Sequence, residues 1–197
     1  MAVIDYFLFP LSPYGYMAGQ KLEAIAAAHG AQVVYKPFQL FRVFEAVGTP
    51  QVKDRHPARQ KYRLQDIART ARFEGLPINL RPAFWPANPA PAAIAIINAQ
   101  AAGGGDLGAL VHAVQKAVWA EDRDIADAAV VRDLLNAYGF DPALADKGML
   151  EAMETLERNT EEALRIGLFG APSYVVGEEI FWGQDRLPQL DRHLAEL

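Results

Sequence analysis

The stretch Val3-Ile4-Asp5-Tyr6-Phe7-Leu8-Phe9, running into Pro10-Leu11-Ser12-Pro13, decides how the chain begins. Apolar and aromatic but for one acid, it reads as a buried strand that stops at the first proline. Ser12 is a good helix N-cap, and Pro13 suits the first helical position, where an absent N–H costs nothing. Ala18, Leu22, Ile25 and Ala26 then recur at helical spacing, and Gly30 closes the element. Val33-Val34-Tyr35 is the next strand, ended by Lys36-Pro37. Residues 1–37 therefore read strand, helix, strand.

The other end mirrors this with a hairpin. Gly170-Ala171-Pro172 precedes the strand Ser173-Tyr174-Val175-Val176, Gly177-Glu178-Glu179 makes a tight turn, and Ile180-Phe181-Trp182 returns. Gly183-Gln184-Asp185 leads into a final helix carrying Leu187, Leu190 and Leu194. Between the two ends the period changes. Residues 57–73, 92–102, 106–118, 126–138 and 149–166 read as helices, giving four or five in all. Residues 81–91 hold four prolines around Phe84 and Trp85 and read as an irregular loop. No strand is expected between 38 and 168. Two half-motifs at opposite ends are most simply completed by one central sheet. The expected fold class is α/β, a thioredoxin-like fold with a large all-helical insertion. The thioredoxin-like part comprises residues 1–40 and 168–197. The helical part comprises 41–167, its last helix packing on the sheet.

Composition narrows the function. Of 197 residues 51% are hydrophobic, enough to bury a core. The absence of cysteine excludes a disulfide scaffold, a redox dithiol and a cysteine nucleophile belonging to this chain. A net charge of −5 speaks against a nucleic-acid partner. No apolar run approaches a membrane span, and no secretory signal is visible after Met1, so a cytoplasmic protein is expected. His29, His56, His112 and His193 lack metal-pair spacing. Gly103-Gly104-Gly105 lacks the Lys-Ser/Thr and the preceding strand of a phosphate loop.

Four features carry candidate chemistry. Ser12, at a strand-to-helix junction, can cap a helix or hold an anion such as a thiolate with its hydroxyl and neighbouring N–H groups. Pro172 can be cis, leaving the Ala171 backbone free to pair with an extended peptide, although a trans proline opening a strand is the commoner arrangement. Asp185 can cap the last helix or accept from a ligand ammonium. Residues 53–72 hold seven Lys and Arg against two acids, whereas the remainder holds twelve against twenty-two. A solvated helix face is the usual meaning of such a run, and a small-carboxylate site is second.

Tyr6-Phe7, Ser12-Pro13-Tyr14 and Tyr16-Met17-Ala18 together resemble the opening of the 2-hydroxychromene-2-carboxylate isomerases, relatives of kappa-class glutathione transferases and DsbA-like oxidoreductases. Tyr62-Arg63-Leu64-Gln65-Asp66, Phe169-Gly170-Ala171-Pro172-Ser173 and Phe181-Trp182-Gly183-Gln184-Asp185-Arg186-Leu187 resemble further segments of that family. The resemblance implies glutathione as cofactor, a homodimer, and a small aromatic carboxylate substrate from aromatic catabolism. It implies Ser12 as the catalytic residue, its hydroxyl donating to the glutathione sulfur where cysteine-bearing relatives keep their own thiol. It places Ala171, Pro172, Trp182, Gly183, Gln184 and Asp185 around the cofactor, and Phe44, Lys53, Arg55 and Trp85 around the substrate. The sequence departs from the family pattern at several points. Leu8 stands for an acid, Pro10-Leu11 adds a residue, Gly15 replaces serine or alanine, Lys53-Asp54 replaces Asn-Arg, and Phe44 replaces a lysine. The cofactor side is thus kept more closely than the substrate side. Two other readings stand beside the isomerase: a kappa-like glutathione transferase, and a non-catalytic thioredoxin-like binding module in which Ser12 only caps its helix.

Overall fold

A computed structural model describes residues 1–197. β1 (Val3–Leu8) and β2 (Gln32–Pro37) are parallel neighbours, joined by α1 (Pro13–Ala18) and α2 (Lys21–Ala28). β3 (Ser173–Val176) runs antiparallel to β1, and β4 (Glu179–Trp182) antiparallel to β3. The sheet order is β2-β1-β3-β4. Register stacks Tyr35, Tyr6 and Tyr174 in one row across it, with ring centroids 5.8 Å and 5.0 Å apart along that row. Between β2 and β3 lie α3 (Leu40–Ala46), α4 (Pro57–Phe73), α5 (Ala90–Ala102), α6 (Leu107–Trp119), α7 (Ala128–Ala137) and α8 (Met149–Arg165); α9 (Leu187–Ala195) closes the chain. No helix is long and apolar enough to cross a membrane.

The expected α/β arrangement with its helical insertion is the one observed, and five local expectations change. The first helix is two helices, because Gly19 (φ 60, ψ −141) leaves helical geometry and the chain restarts at Lys21. Six helices occupy the middle; the unexpected one, α3, has seven residues and no side-chain cap, so it leaves little local signal. Glu179 belongs to β4, and the turn is Gly177-Glu178. Asp185 caps nothing: residues 184–186 form a 3₁₀ turn, and α9 begins at Leu187 without a side-chain cap. The Ala171–Pro172 bond is cis rather than the commoner trans, as is Trp85–Pro86.

An outer strand presents unpaired backbone groups unless something covers them. On β2 the cover comes from amide side chains of the helices. Gln100 of α5 accepts from Tyr35 N at 2.7 Å and donates to Tyr35 O at 3.0 Å, imitating one rung of a further strand. Asn159 of α8 donates to Pro37 O at 2.9 Å, and Thr160 Oγ1 accepts from Gln39 N at 3.0 Å. Lys36 joins Glu162 of α8 to Asp5 of β1. These contacts fasten α5 and α8 to the sheet.

Candidate active site

The loop after β1 is held from both sides. Ser12 N donates to Phe9 O at 2.9 Å. From α6, Trp119 Nε1 donates to Leu11 O at 3.2 Å and Gln115 Nε2 approaches Phe9 O at 3.5 Å. Residues 115 and 119 are one turn apart, so both reach the same loop. At its end the Ser12 hydroxyl accepts from Gly15 N (3.1 Å) and donates to Ala171 O (3.3 Å), joining the first helix to the loop ahead of the hairpin. Gly15 has no room for more: a Cβ there would lie 2.4 Å from Gln115 Nε2. The departure from serine or alanine at this position thus has a steric cause. Because α1 has only six residues, most of the anion-holding capacity at Ser12 falls to its hydroxyl rather than to a long helix dipole.

The Ala171 loop faces Ser12 with one hand empty. Its carbonyl takes the serine hydroxyl, while its N–H donates to no group of the chain. Ser173 Oγ donates to Gly170 O at 2.9 Å, and Gly183 N to Pro172 O at 2.9 Å, fixing the loop against β4. Trp182, 49% exposed, packs edge-on against Phe169 with centroids 4.7 Å apart. Its indole fills the place where a Cβ on Gly170 would lie, 2.2 Å from Nε1. Gly183 is required for its φ of 110.

Two connected hollows open from these residues. The outer cleft, ≈ 780 Å³, runs between α4 and the segment 182–186 and reaches Ala171. Gln184 and Asp185 line it; Asp185 is freed from any capping role and lies 3.3 Å from Arg186. The inner cavity, ≈ 240 Å³, is walled mostly by apolar side chains, among them Leu11, Phe41, Phe44 and Trp85, and contains Ser12. Ser12 is only 5% exposed, and that remainder faces the cavity. Ala171 and Trp182 border both hollows.

The basic segment divides. Arg55, Arg59 and Arg63 recur every four residues and line both hollows, whereas Lys61, Arg69 and Arg72 line neither and are exposed. Arg55 sits over the Phe44 ring (5.6 Å) and donates to Pro50 O. Arg63 lies over Trp85 (5.5 Å) and Trp119 (5.8 Å). Burial pulls the Arg55 and Arg63 guanidinium pKa values down, and in each case a neighbouring arginine adds to the effect. Tyr14 donates to Asp66 Oδ2 at 3.3 Å; burial and that carboxylate push its phenol up to about 12.

Of the residues singled out by sequence, Ser12, Phe44, Arg55, Trp85, Ala171 and Trp182 meet at the inner cavity, and Gly183, Gln184 and Asp185 join Ala171 and Trp182 at the outer cleft. Two do not join them. Pro172 is buried and lines neither hollow, and Lys53 stands exposed outside both. Tyr14 and Arg63 were not expected as site residues; Arg59, which the resemblance offers beside Lys53 and Arg55 for the substrate carboxylate, lines both hollows. The four-residue spacing of Arg59 and Arg63 within the helical stretch was the signal that could have found Arg63; Arg55 lies ahead of α4 in extended backbone. The histidines are scattered: His29 pairs with Asp191, His56 caps α4, His112 stacks on Tyr16, and His193 lies beside Phe181.

A thioredoxin-like sheet, a serine where the fold turns from its first strand to its first helix, and a cis-proline loop bonded to that serine define a thioredoxin-like protein that carries no cysteine. The model of the DSBA-like thioredoxin domain matches residues 3–195, and the chain belongs to that family. It is 28% identical over 201 residues to the 2-hydroxychromene-2-carboxylate isomerase of Pseudomonas putida, covering 99% of this chain and 95% of the relative. It is 26% identical to a protein of Caenorhabditis elegans named glutathione S-transferase kappa 2, covering 98% and 92%. A solved 2-hydroxychromene-2-carboxylate isomerase superposes with a TM-score of 0.77 at 27% identity, covering 98% of this chain and 95% of the other. The resemblance to these isomerases extends along the whole chain.

Proposed function

We propose that the protein is a glutathione-dependent isomerase of the 2-hydroxychromene-2-carboxylate isomerase type, acting on an unsaturated aromatic keto acid. The observation that carries the reading is the Ser12 hydroxyl, 3.3 Å from Ala171 O and opening into a cavity that adjoins a peptide-sized cleft. The residues present fit glutathione. The free Ala171 N–H offers a donor to an extended tripeptide backbone, and the uncapped Asp185 with Gln184 offers acceptors to an α-ammonium group.

Bound glutathione supplies a thiolate whose reversible addition lets a conjugated double bond rotate. The chain's own part is to hold and to tune. Ser12 turns its proton from Ala171 O toward the sulfur; the hydrogen bond favours the thiolate and lowers the thiol pKa. Arg55 and Arg59 add positive charge at the border of the two hollows, favouring the same ionised form and any carboxylate beside it. Phe41, Phe44 and Trp85 receive an aromatic ring away from water. Lys53, expected at the substrate, has no part. The reading includes a homodimer, carried over from the resemblance and open to sedimentation analysis, and a cytoplasmic location, expected because no secretory signal is visible and open to fractionation.

Steady-state absorbance with 2-hydroxychromene-2-carboxylate, with and without glutathione, tests the proposal. Strong stimulation by glutathione supports it, and equal rates overturn it. The position of Lys53 outside the cavity favours a second reading, a kappa-like transferase. A stable thioether product with a chloroaromatic acceptor would select that one.

A further inference from the structure

Arg63 stands apart from the other cations of the chain. It is partly buried, forms no ion pair, and donates no hydrogen bond to any protein group. A guanidinium carries five N–H donors, and leaving them unpartnered in a partly apolar place is costly. Here two indoles hold the cation, Trp85 at 5.5 Å and Trp119 at 5.8 Å. Trp119 is itself fixed by its bond to Leu11 O, so the stack is anchored in the loop that carries Ser12. Packing therefore positions the guanidinium, while its hydrogen-bonding edge is left without a protein acceptor. Asp66, one turn further along α4, is occupied by Tyr14 and Arg69. Arg55 is partly committed to Pro50 O and the Phe44 ring, and Arg59 is exposed at the rim.

We propose that Arg63 is the specificity-determining residue of the inner cavity, taking the carboxylate of an aryl-substituted unsaturated keto acid through a paired hydrogen bond while the ring lies among Phe41, Phe44 and Trp85. The inference rests on the isomerase reading for the ligand's general nature and adds the residue that selects acid over neutral analogue. Arginine's planar fork suits a carboxylate, and stacking on indole keeps the fork in one plane. The cavity of ≈ 240 Å³ is smaller than the ~300–1,000 Å³ of drug-sized pockets and suits a small ring system with a short acid tail. Arg55 and Arg59 assist through charge at the border.

The test is calorimetric titration of benzylidenepyruvate and of its methyl ester, without glutathione, into the wild-type protein, Arg63→Gln and Arg63→Lys. The wild type should bind the acid on the order of tenfold to a hundredfold more tightly than the ester, the range of a charge-assisted hydrogen bond. Arg63→Gln should lose that preference while keeping its ester affinity, and Arg63→Lys should recover part of it. Equal affinity of the wild type for acid and ester overturns the assignment, as does an equal loss for both ligands in Arg63→Gln, which would mean a packing role. Should Arg63→Gln not fold, the wild-type comparison and Arg63→Lys still decide. Glutathione titrated separately into the wild type keeps the two ideas apart, because its failure to bind would remove the isomerase reading and leave the acid-over-ester preference standing.

Discussion

Helix propensity and packing make opposite predictions for Gly15→Ala. Glycine inside a helix is less favourable than alanine by about 1 kcal/mol, so propensity alone predicts stabilisation. The contact geometry opposes it. The new Cβ would lie 2.4 Å from Gln115 Nε2 and 3.0 Å from Cδ, and Gln115 is 1% exposed, with nowhere to swing. Overpacking of this kind costs about 1–3 kcal/mol. The Gln115–Phe9 bond, at 3.5 Å, is long, so its loss adds little. The net effect is neutral to destabilising by about 2 kcal/mol, a fall of up to about 4–8 °C in Tm for a chain this long. In a Gln115→Ala background the obstruction is gone, and Gly15→Ala should stabilise by about 1 kcal/mol. Thermal and denaturant unfolding of the four proteins reads this change of sign. Stabilisation by the same amount in both backgrounds would refute the contact. Gly15 N–H also donates to Ser12 Oγ, so the strained single variant should lose activity that the double variant regains.

Further expectations concern the sheet and its buried acid. Burial raises the Glu23 pKa, and one of its oxygens, Oε2, has no partner. A raised folded-state pKa means stability that is complete below the unfolded value and is lost as pH rises through the folded one. Glu23→Gln should therefore raise Tm at neutral pH and flatten the profile between acid and neutral pH, since Gln keeps an acceptor for Tyr35 OH; a lower Tm at neutral pH would contradict this. Gln100→Ala strips both backbone partners from Tyr35 on the outer strand. A loss on the order of 2 kcal/mol, about 4–8 °C in Tm, is expected. A change below ~1 °C would mean that water serves that edge equally well.

Much of this was legible before any coordinates. Ser12-Pro13 marks a helix start because capping and proline preference are local effects, and Gly177 marks the hairpin for a similar reason. The strand-helix-strand and hairpin-helix ends follow from period and punctuation alone. What stayed hidden depends on partners distant in sequence. The break at Gly19 could not be told from an ordinary helical glycine. α3 is too short to show a period. Gly15 is intelligible only once Gln115, a hundred residues later, is brought against it. Lys53 looked as eligible as Arg55 because charge counts carry no direction, and only the folded arrangement brings Arg55, ahead of α4, and Arg59 and Arg63, on α4, to the hollows while Lys61, Arg69 and Arg72 stay in water. Asp185 looked like a cap because an acid before a leucine-periodic helix usually is one; the intervening 3₁₀ turn frees it.

The most direct measurement is the ultraviolet thiolate titration of glutathione bound to the wild-type protein and to Ser12→Ala. Ser12→Ala loses a cap to Gly15 N and a bond to Ala171 O, a cost of about 1 kcal/mol that should leave the protein folded. In the wild type the bound thiol should titrate well below the ~8.5 of a free cysteine, and in Ser12→Ala it should rise by about one to two pH units, the worth of one hydrogen bond to a charged sulfur. Identical titrations in the two proteins, or a bound thiol that titrates as it does in free solution, would contradict the role given to the Ser12 hydroxyl.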